Sequence, residues 1–386
     1  MAWKSVVGAT FTDIADFLTN GTNGLYKTLT TDMGWTLHNK IDTYDQIFKS
    51  TGEDGTEVIF VRITGSGSPP TEVIIRIATW YPSSGTPAND SNEVGTSGAT
   101  SFQLNNSASH IGWIYGDKDY VVITNKQDGY YSTFGFGVIK RLSPTHWSGR
   151  TTAMNAETMG AGDTVVEVGS TTNFTAGQKV WMINVGDTNK GKGLRCTVKS
   201  IDDINKTLTL TNDYGSSMSF DAGALIALDP MPVCIHGFSY IFGGYYRGCP
   251  SHALSFLYDP AETNFQGAAQ TTPTHRAGSS AIGQRYNLRY MSQDMYYNTI
   301  GPAARGEFVV EPTFIVGHLG SNWSKTTGAE QLRGYDDRIC SVTYGSTISP
   351  EDTLKDGSTS WIVFADPWGT TYFPDYFKRI AVRTVQ

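Results

Sequence analysis

Charge is scarce in this chain. Asp, Glu, Lys and Arg make up 17% of its 386 residues, against about a quarter in an ordinary soluble domain. There is no block of Lys and Arg, and the formal net charge is -7, so no electrostatic track for a nucleic-acid backbone is offered. No apolar run reaches about 18 residues, which excludes a membrane-spanning helix. The opening MAWKSVVGATFTDIADFLTNG lacks a continuous apolar stretch and carries Asp13 and Asp16, so it does not read as a secretory leader. Cysteines number 4, and Cys196, Cys234, Cys249 and Cys340 include no CxxC. Scattered thiols of this kind read as reduced and partly buried, with a Cys234–Cys249 disulfide as the alternative.

Catalytic signatures are missing too. The 7 His include no HExxH and no HxH. The nearest approach to a metal cluster is CIH…CPSH, with Cys234, His236, Cys249 and His252. Its spacing is looser than the paired ligands of a zinc site, and it reads as strand edge. No GxSxG elbow occurs; GSGS at 65–68 falls in a hairpin loop, not between a strand and a helix. GDTNKGKG at 186–193 has no Ser or Thr after its Lys and joins two strands, so it is not a phosphate cradle. Asp202-Asp203 and Asp336-Asp337 are adjacent pairs. Neighbours on a strand point to opposite faces, which spoils either pair as the acid and base of a glycosidase. NDSNE at 89–93 supplies oxygen ligands without EF-hand spacing. No catalytic, cofactor-binding or metal residue is assigned, no cofactor is expected, and the chain does not read as an enzyme.

What fills the gap is 42 Gly, 20 Tyr and 18 Phe, with abundant Thr, Ser and Asn. That is the composition of strands and turns. One helix is expected early, capped by Thr12 or Asp13, with Ile14, Phe17 and Leu18 at helical spacing and Asn20-Gly21 ending it. A second short one covers Leu25 to Thr31. TEVIFVRITG (56–65) and TEVIIRIATWY (71–81) are strands joined through SGSPP, a connection that reads as longer than a tight two-residue turn. In the second, Val73, Ile75 and Ile77 share a face opposite Ile74 and Arg76. DYVVITNKQDGYYSTFGFGVIKRL (119–142) reads strand, turn, strand. There Phe134, Phe136 and Val138 alternate with Gly135, Gly137 and Ile139, and the small face admits an aromatic ring or another backbone. RYNLRYMSQDMYY (285–297) suits strand or helix, and EFVVEPTFIVG (307–317) reads as two strands broken at Pro312. The chain's end again reads strand, aromatic loop, strand.

Between 163 and 228 the texture changes to five short strands, DTVVEV, KVWMINV, LRCTVKSI, KTLTLT and ALIALD, at spacings of roughly 8–17 residues. That suggests a small, nearly closed barrel. In TTNFTAGQKVW (171–181), Phe174 is expected to plug the barrel end and Gly177 to take positive φ before the next strand. The resulting fold class is mainly β, a larger β-sandwich-like domain with an inserted small β-barrel and few short helices. The larger domain is discontinuous, 1–149 and 230–386, and the insert is 150–229; three consecutive domains are the alternative. Polar loops at 82–100 and 261–283 are long enough to be contact loops. Exposed rings at Trp80, Tyr81, Trp323, Trp368 and Tyr372 are candidate contact aromatics, suited to a subunit interface or to stacking on a sugar.

Three segments resemble virion structural proteins of tailed bacteriophages, especially tail-tip and baseplate proteins. They are GWTLHNKIDTYDQIFKSTGEDGTEVIFVRITG (34–65), DYVVITNKQDGYYSTFGFGVIKRL (119–142) and DTVVEVGSTTNFTAGQKVWMIN…VKSIDDINKTLTLTND. The last is followed by DPMPV at 229–233, which also appears at the exit of such modules. The resemblance covers roughly half the chain and carries a fold pattern without functional residues. It implies a non-enzymatic subunit packed against other copies of itself and other virion proteins, assembled in the bacterial host cytoplasm. A receptor- or carbohydrate-binding virion protein, touching a host-surface glycan, and a capsid-decorating protein are the alternatives.

Overall fold

The computed structural model describes residues 4–53, 59–78, 81–86, 94–95, 102–103, 109–127, 130–138, 150–184, 193–212, 217–227, 233–239, 251–256, 286–289, 310–318, 330–342, 348–364 and 379–385. The chain is mainly β, with few short helices. Asp13 begins helix Ile14–Thr19, its carboxylate accepting the Asp16 N–H at 2.8 Å. Asn20 ends it by accepting the N–H groups of Thr22 and Asn23. The short helix Leu25–Lys27 runs on into a single π turn, Thr28–Asp32.

Three sheets are layered. The central one runs Lys4–Phe11, His110–Gly116, Tyr120–Gln127, Tyr130–Val138, Val233–Ser239 and Ser251–Phe256, all antiparallel neighbours. One face carries Ile114, Val121, Ile123, Phe134 and Phe136 against the helices and the N-terminal sheet of Thr36–Lys40, Asp45–Ser50, Ile59–Gly67 and Pro70–Ala78. The opposite face carries Trp113, Tyr115, Tyr120, Val122 and Tyr131 against Ile339, Phe364, Ile380 and Val382 of the C-terminal sheet. Covered on both sides, the central strands lose the inside–outside alternation of a one-faced sheet.

The glycine face of strand Tyr130–Val138 serves the packing expected of it. A side chain at Gly135 would collide with the Tyr120 ring, and one at Gly137 (φ 134°) with the Asp119 backbone.

Several sequence expectations need correction. Gly67 pairs with Pro70, so the hairpin between Ile59–Gly67 and Pro70–Ala78 closes on Ser68 and Pro69 alone. Pro312 does not break its segment: Val310–His318 is one strand with a shift of register at Pro312/Thr313. A bulge accommodates a residue that cannot donate to the ladder. The loop at 82–100 contains Val94–Gly95, paired with Arg76 and Ile77; residues 87–93 and 96–100, with NDSNE, lie outside the described residues. So does the loop at 261–283. Within 285–297, Tyr286–Arg289 is strand.

Residues 150–227 make a separate half-barrel. Its six-stranded sheet runs in the order Arg150–Thr152, Leu225–Ala227, Lys179–Ile183, Gly193–Asp202, Thr207–Asn212, Asp163–Glu167. A bridge between Ala153 and Val168 brings the two outer strands together, and Glu157–Met159 with Met218–Phe220 forms a ribbon beside it. Five strands were expected; the extra ones are three residues long, too short for alternation to register. Every buried residue of its core, from Ala153 to Ile226, belongs to the segment itself. The flanking strands Tyr130–Val138 and Val233–Ser239 are hydrogen-bonded neighbours, with Val138 opposite Val233. The chain therefore leaves the central sheet, builds the half-barrel, and re-enters the same sheet one strand over.

Phe174 is buried within this core and Gly177 has φ 86°. Val180 and Met182 point inward with it. At the far end, Asp202 accepts the N–H groups of Ile204 and Asn205, both at 3.0 Å, closing the polar turn that leads to Thr207.

Candidate functional site

Among the described residues, polar contacts concentrate at the turn 117–119, between the second and third strands of the central sheet. Asp117 sits at its start because its carboxylate can accept the N–H groups of Asp119 and Tyr120, at 2.8 and 3.0 Å, the usual way Asp organises a tight turn. The turn then serves four neighbours. The Trp35 indole N–H donates to the Asp117 carbonyl at 2.9 Å, and the Ser50 hydroxyl to the Lys118 carbonyl at 2.6 Å. The Asp119 carboxylate accepts the Glu53 N–H, and its carbonyl accepts the N–H of Val138, both at 2.8 Å.

Arg338 enters from the C-terminal sheet. Its guanidinium donates to the Val138 carbonyl at 2.8 Å and lies 4.6 Å from the centre of the Tyr120 ring. It is 4% exposed. Burial pulls the guanidinium toward neutrality, but the Asp336 and Asp117 carboxylates outweigh it and hold the charge. Asp336 is buried and accepts the Arg338 backbone N–H at 2.8 Å, while Asp337 pairs with Arg383 at 2.6 Å. Burial in turn pushes the Asp117 carboxyl above the usual carboxylate range, against the pull of Arg338. The site is thus a buried cation among carboxylates, clamping the last described residue before the half-barrel. Buried pairs of this kind fix geometry more than they add stability.

A second cluster bridges the same two sheets nearer the surface. Glu351 accepts from Lys126 at 2.5 Å and from the Tyr131 hydroxyl at 2.7 Å, and it has φ 72°. Burial raises the Tyr131 hydroxyl, pushed up to about 12, with Glu351 adding to the rise. Glu351 holds Lys126 above its ordinary value. Burial pushes the Glu351 carboxyl up, but the Lys126 and Tyr131 hydrogen bonds outweigh it and hold the carboxyl down. All three shifts lead away from neutral pH. A general acid or base works best when its pKa lies near the operating pH, so the arrangement suits a tie between sheets.

The acidic pairs do separate work, as their spacing requires. Asp202 closes a turn while Asp203 accepts from Thr171 at 2.5 Å; Asp336 and Asp337 serve different arginine groups. Cys196 and Cys340 are buried free thiols, and burial pushes Cys340 well up, away from nucleophilic use. Cys249 lies outside the described residues, so the Cys234–Cys249 disulfide does too. No group of three or more His, Cys, Asp or Glu among the described residues stands together to hold a metal ion.

Of the candidate contact aromatics, Tyr81 is buried against Ile47 and Phe60 in a small cluster on the outer side of the N-terminal sheet, so it has no open face for a sugar. Trp80, Trp323, Trp368 and Tyr372 lie outside the described residues. Arg338 and Asp117 were not singled out in the sequence. Arg338 is marked only by DDR (336–338) within an otherwise strand-like run, and Asp117 only by the polar turn GDKD (116–119).

Among the described residues, no helix is long and apolar enough to cross a membrane. No protein-family model matches this chain, and no curated protein matches it significantly.

Proposed function

We propose that this chain is a structural subunit of a bacteriophage virion, in the tail or baseplate, acting by subunit–subunit packing. The observation that carries the reading is how the half-barrel is mounted. It is inserted between adjacent strands of a three-layer stack in which the buried Arg338 ties the C-terminal sheet to the central one. Such a build presents a small module on a stiff base without spending polar groups on chemistry. The sequence resemblance supports the same reading, because its segments at 34–65 and 119–142 fall on hairpins of the stack and its third falls on the half-barrel. Symmetric assembly of many copies is the ordinary use of such a subunit.

The test is direct. Particles of the phage whose genome encodes the chain are purified and labelled with antibody and gold, and the isolated chain is sized by light scattering. Label on the tail or baseplate, with self-association in solution, is expected. A monomer absent from particles overturns the proposal.

A further inference from the structure

Residues 349–352, Ser-Pro-Glu-Asp, form a tight turn. The Asp352 N–H donates to the Ser349 carbonyl at 3.2 Å, and the Asp352 carboxylate accepts the Ser349 N–H at 2.6 Å. Pro350 suits the second position of such a turn. Glu351, in the third, has φ 72°, as in a type II turn, where Gly or Asn is the usual residue. For a residue with a Cβ that backbone is disfavoured about tenfold. A side chain kept at a strained position against its own preference points to a task for that side chain.

The Glu351 carboxylate crosses to the central sheet, where it accepts from Lys126 at 2.5 Å and from the Tyr131 hydroxyl at 2.7 Å. Lys126 also lies 5.2 Å from the centre of the Tyr131 ring. These are the titratable groups that face the carboxylate, one from strand Tyr120–Gln127 and one from Tyr130–Val138. On its other side the turn is bonded into the C-terminal sheet. The Glu351 N–H donates to the Val363 carbonyl at 2.6 Å, and the Val363 N–H to the Asp352 carbonyl at 2.9 Å. The strand that follows, Thr353–Asp356, is the edge of that sheet; beyond its ladder to Thr359–Phe364 it buries only Leu354. The Lys126 and Glu351 side chains are 31% and 39% exposed, so water reaches the ion pair.

We propose that Glu351 is a strained latch: bound to Lys126 and Tyr131, its carboxylate holds residue 351 at positive φ and keeps the turn closed, and loss of that charge lets the turn and the edge strand Thr353–Asp356 open while the rest of the C-terminal sheet stays in place. The sense of the pH dependence follows. Burial pushes the carboxyl up, but Lys126 and Tyr131 outweigh it and hold the carboxyl down while the latch is closed. The latch is therefore fully closed above the ordinary carboxylate range and weakens as pH falls through the closed-form pKa. Nothing in the device rests on the virion reading.

Hydrogen exchange at the Val363 amide of the full chain, followed by NMR, tests the proposal. Glu351→Ala removes the carboxylate and keeps the Cβ; Glu351→Gly removes both, and Gly accepts positive φ without strain. At neutral pH, exchange at Val363 is expected to rise about tenfold in Glu351→Ala, and likewise in Lys126→Met with Tyr131→Phe, as the strained turn relaxes. In Glu351→Gly it stays as slow as in the unmodified chain or slower. The ladder between Ile339–Val342 and Arg379–Val382 keeps its protection throughout. Unchanged exchange in Glu351→Ala shows that the carboxylate is no latch. An equal rise in Glu351→Gly shows that strain has no part in it, and an equal rise in the Ile339–Val342 ladder shows global unfolding in place of local opening. Each of these overturns the proposal. On acidification through the carboxylate range, exchange at Val363 corrected for its intrinsic rate rises in the unmodified chain; a rise of the same size in Glu351→Ala also overturns it.

Discussion

The central sheet and the half-barrel sheet each have six strands, but they are built under opposite constraints. Strand Tyr120–Gln127 of the central sheet buries six residues in a row. Strand Thr207–Asn212 of the half-barrel alternates between part-exposed and buried along its whole length. The first is sandwiched, so its polar residues must be satisfied inside. Thr124 and Thr133 bond each other at 3.0 Å, and Asp117 feeds a turn. The second faces a core on one side only, and its outward threonines meet water or a partner. The stack gains rigidity and depends on long-range contacts, whereas the half-barrel keeps its contacts within one stretch of chain. Two cores that share no buried residue should therefore melt as two cooperative units.

The strongest blow to the comparison would come from the buried cation. Arg338→Met leaves Asp117 and Asp336 without their guanidinium and frees the Val138 carbonyl. Removing one partner of a buried charge cluster costs about 3–5 kcal/mol. Differential scanning calorimetry should show the transition of the stack falling while that of the half-barrel stays. A single transition moving as a whole would show that the two regions are one unit, and the contrast drawn here would go. Phe174→Ala is the converse. It empties the end of the half-barrel core, at a cost of about 3 kcal/mol, and should lower only the other transition.

Gly177→Val is a finer test within the half-barrel. Nothing lies within 4 Å of a side chain built there, so the whole penalty is conformational. A non-glycine residue at φ 86° costs about 1–2 kcal/mol. A β-branched side chain sits at the upper end. Unchanged melting of the half-barrel would mean that the turn before Lys179 relaxes to negative φ.

The same contrast explains what could be read in advance. Alternation and turn residues are local, so five of the half-barrel strands, Phe174 and Gly177 were legible, while its three remaining short strands were not. So were Val73, Ile75 and Ile77, which line the inner face of an outer sheet. The pairing of Val138 with Val233 was suggested only in outline, by reading 1–149 and 230–386 as one discontinuous domain. The clamp was not legible. Asp117, Val138 and Arg338 come from three distant parts of the chain, and no spacing rule joins them. Continuous burial also hides which face of the central sheet meets which neighbour, because both faces are apolar.

The smallest expected effect is on the pH dependence, and it separates the two kinds of polar site. Burial raises the Asp117 carboxyl in the folded chain, so the folded state takes up that proton before the unfolded state does. As pH falls from neutral through the folded pKa, this group adds stability, and the gain levels off below the unfolded value. Glu351 has the opposite sign. Its carboxyl is held down when folded, so its contribution is present above the unfolded pKa and is lost as pH falls through the folded one. The difference between the chain and its Asp117→Asn variant should therefore move in favour of the chain on acidification, by no more than about 1.4 kcal/mol per pH unit. The difference from Glu351→Gln should move the other way. Urea titrations at a series of pH values, following the stack transition, measure both slopes. If the two have the same sign, Asp117 is not held in the low-dielectric interior that its burial beside Arg338 implies, and the clamp is as wet as the surface tie.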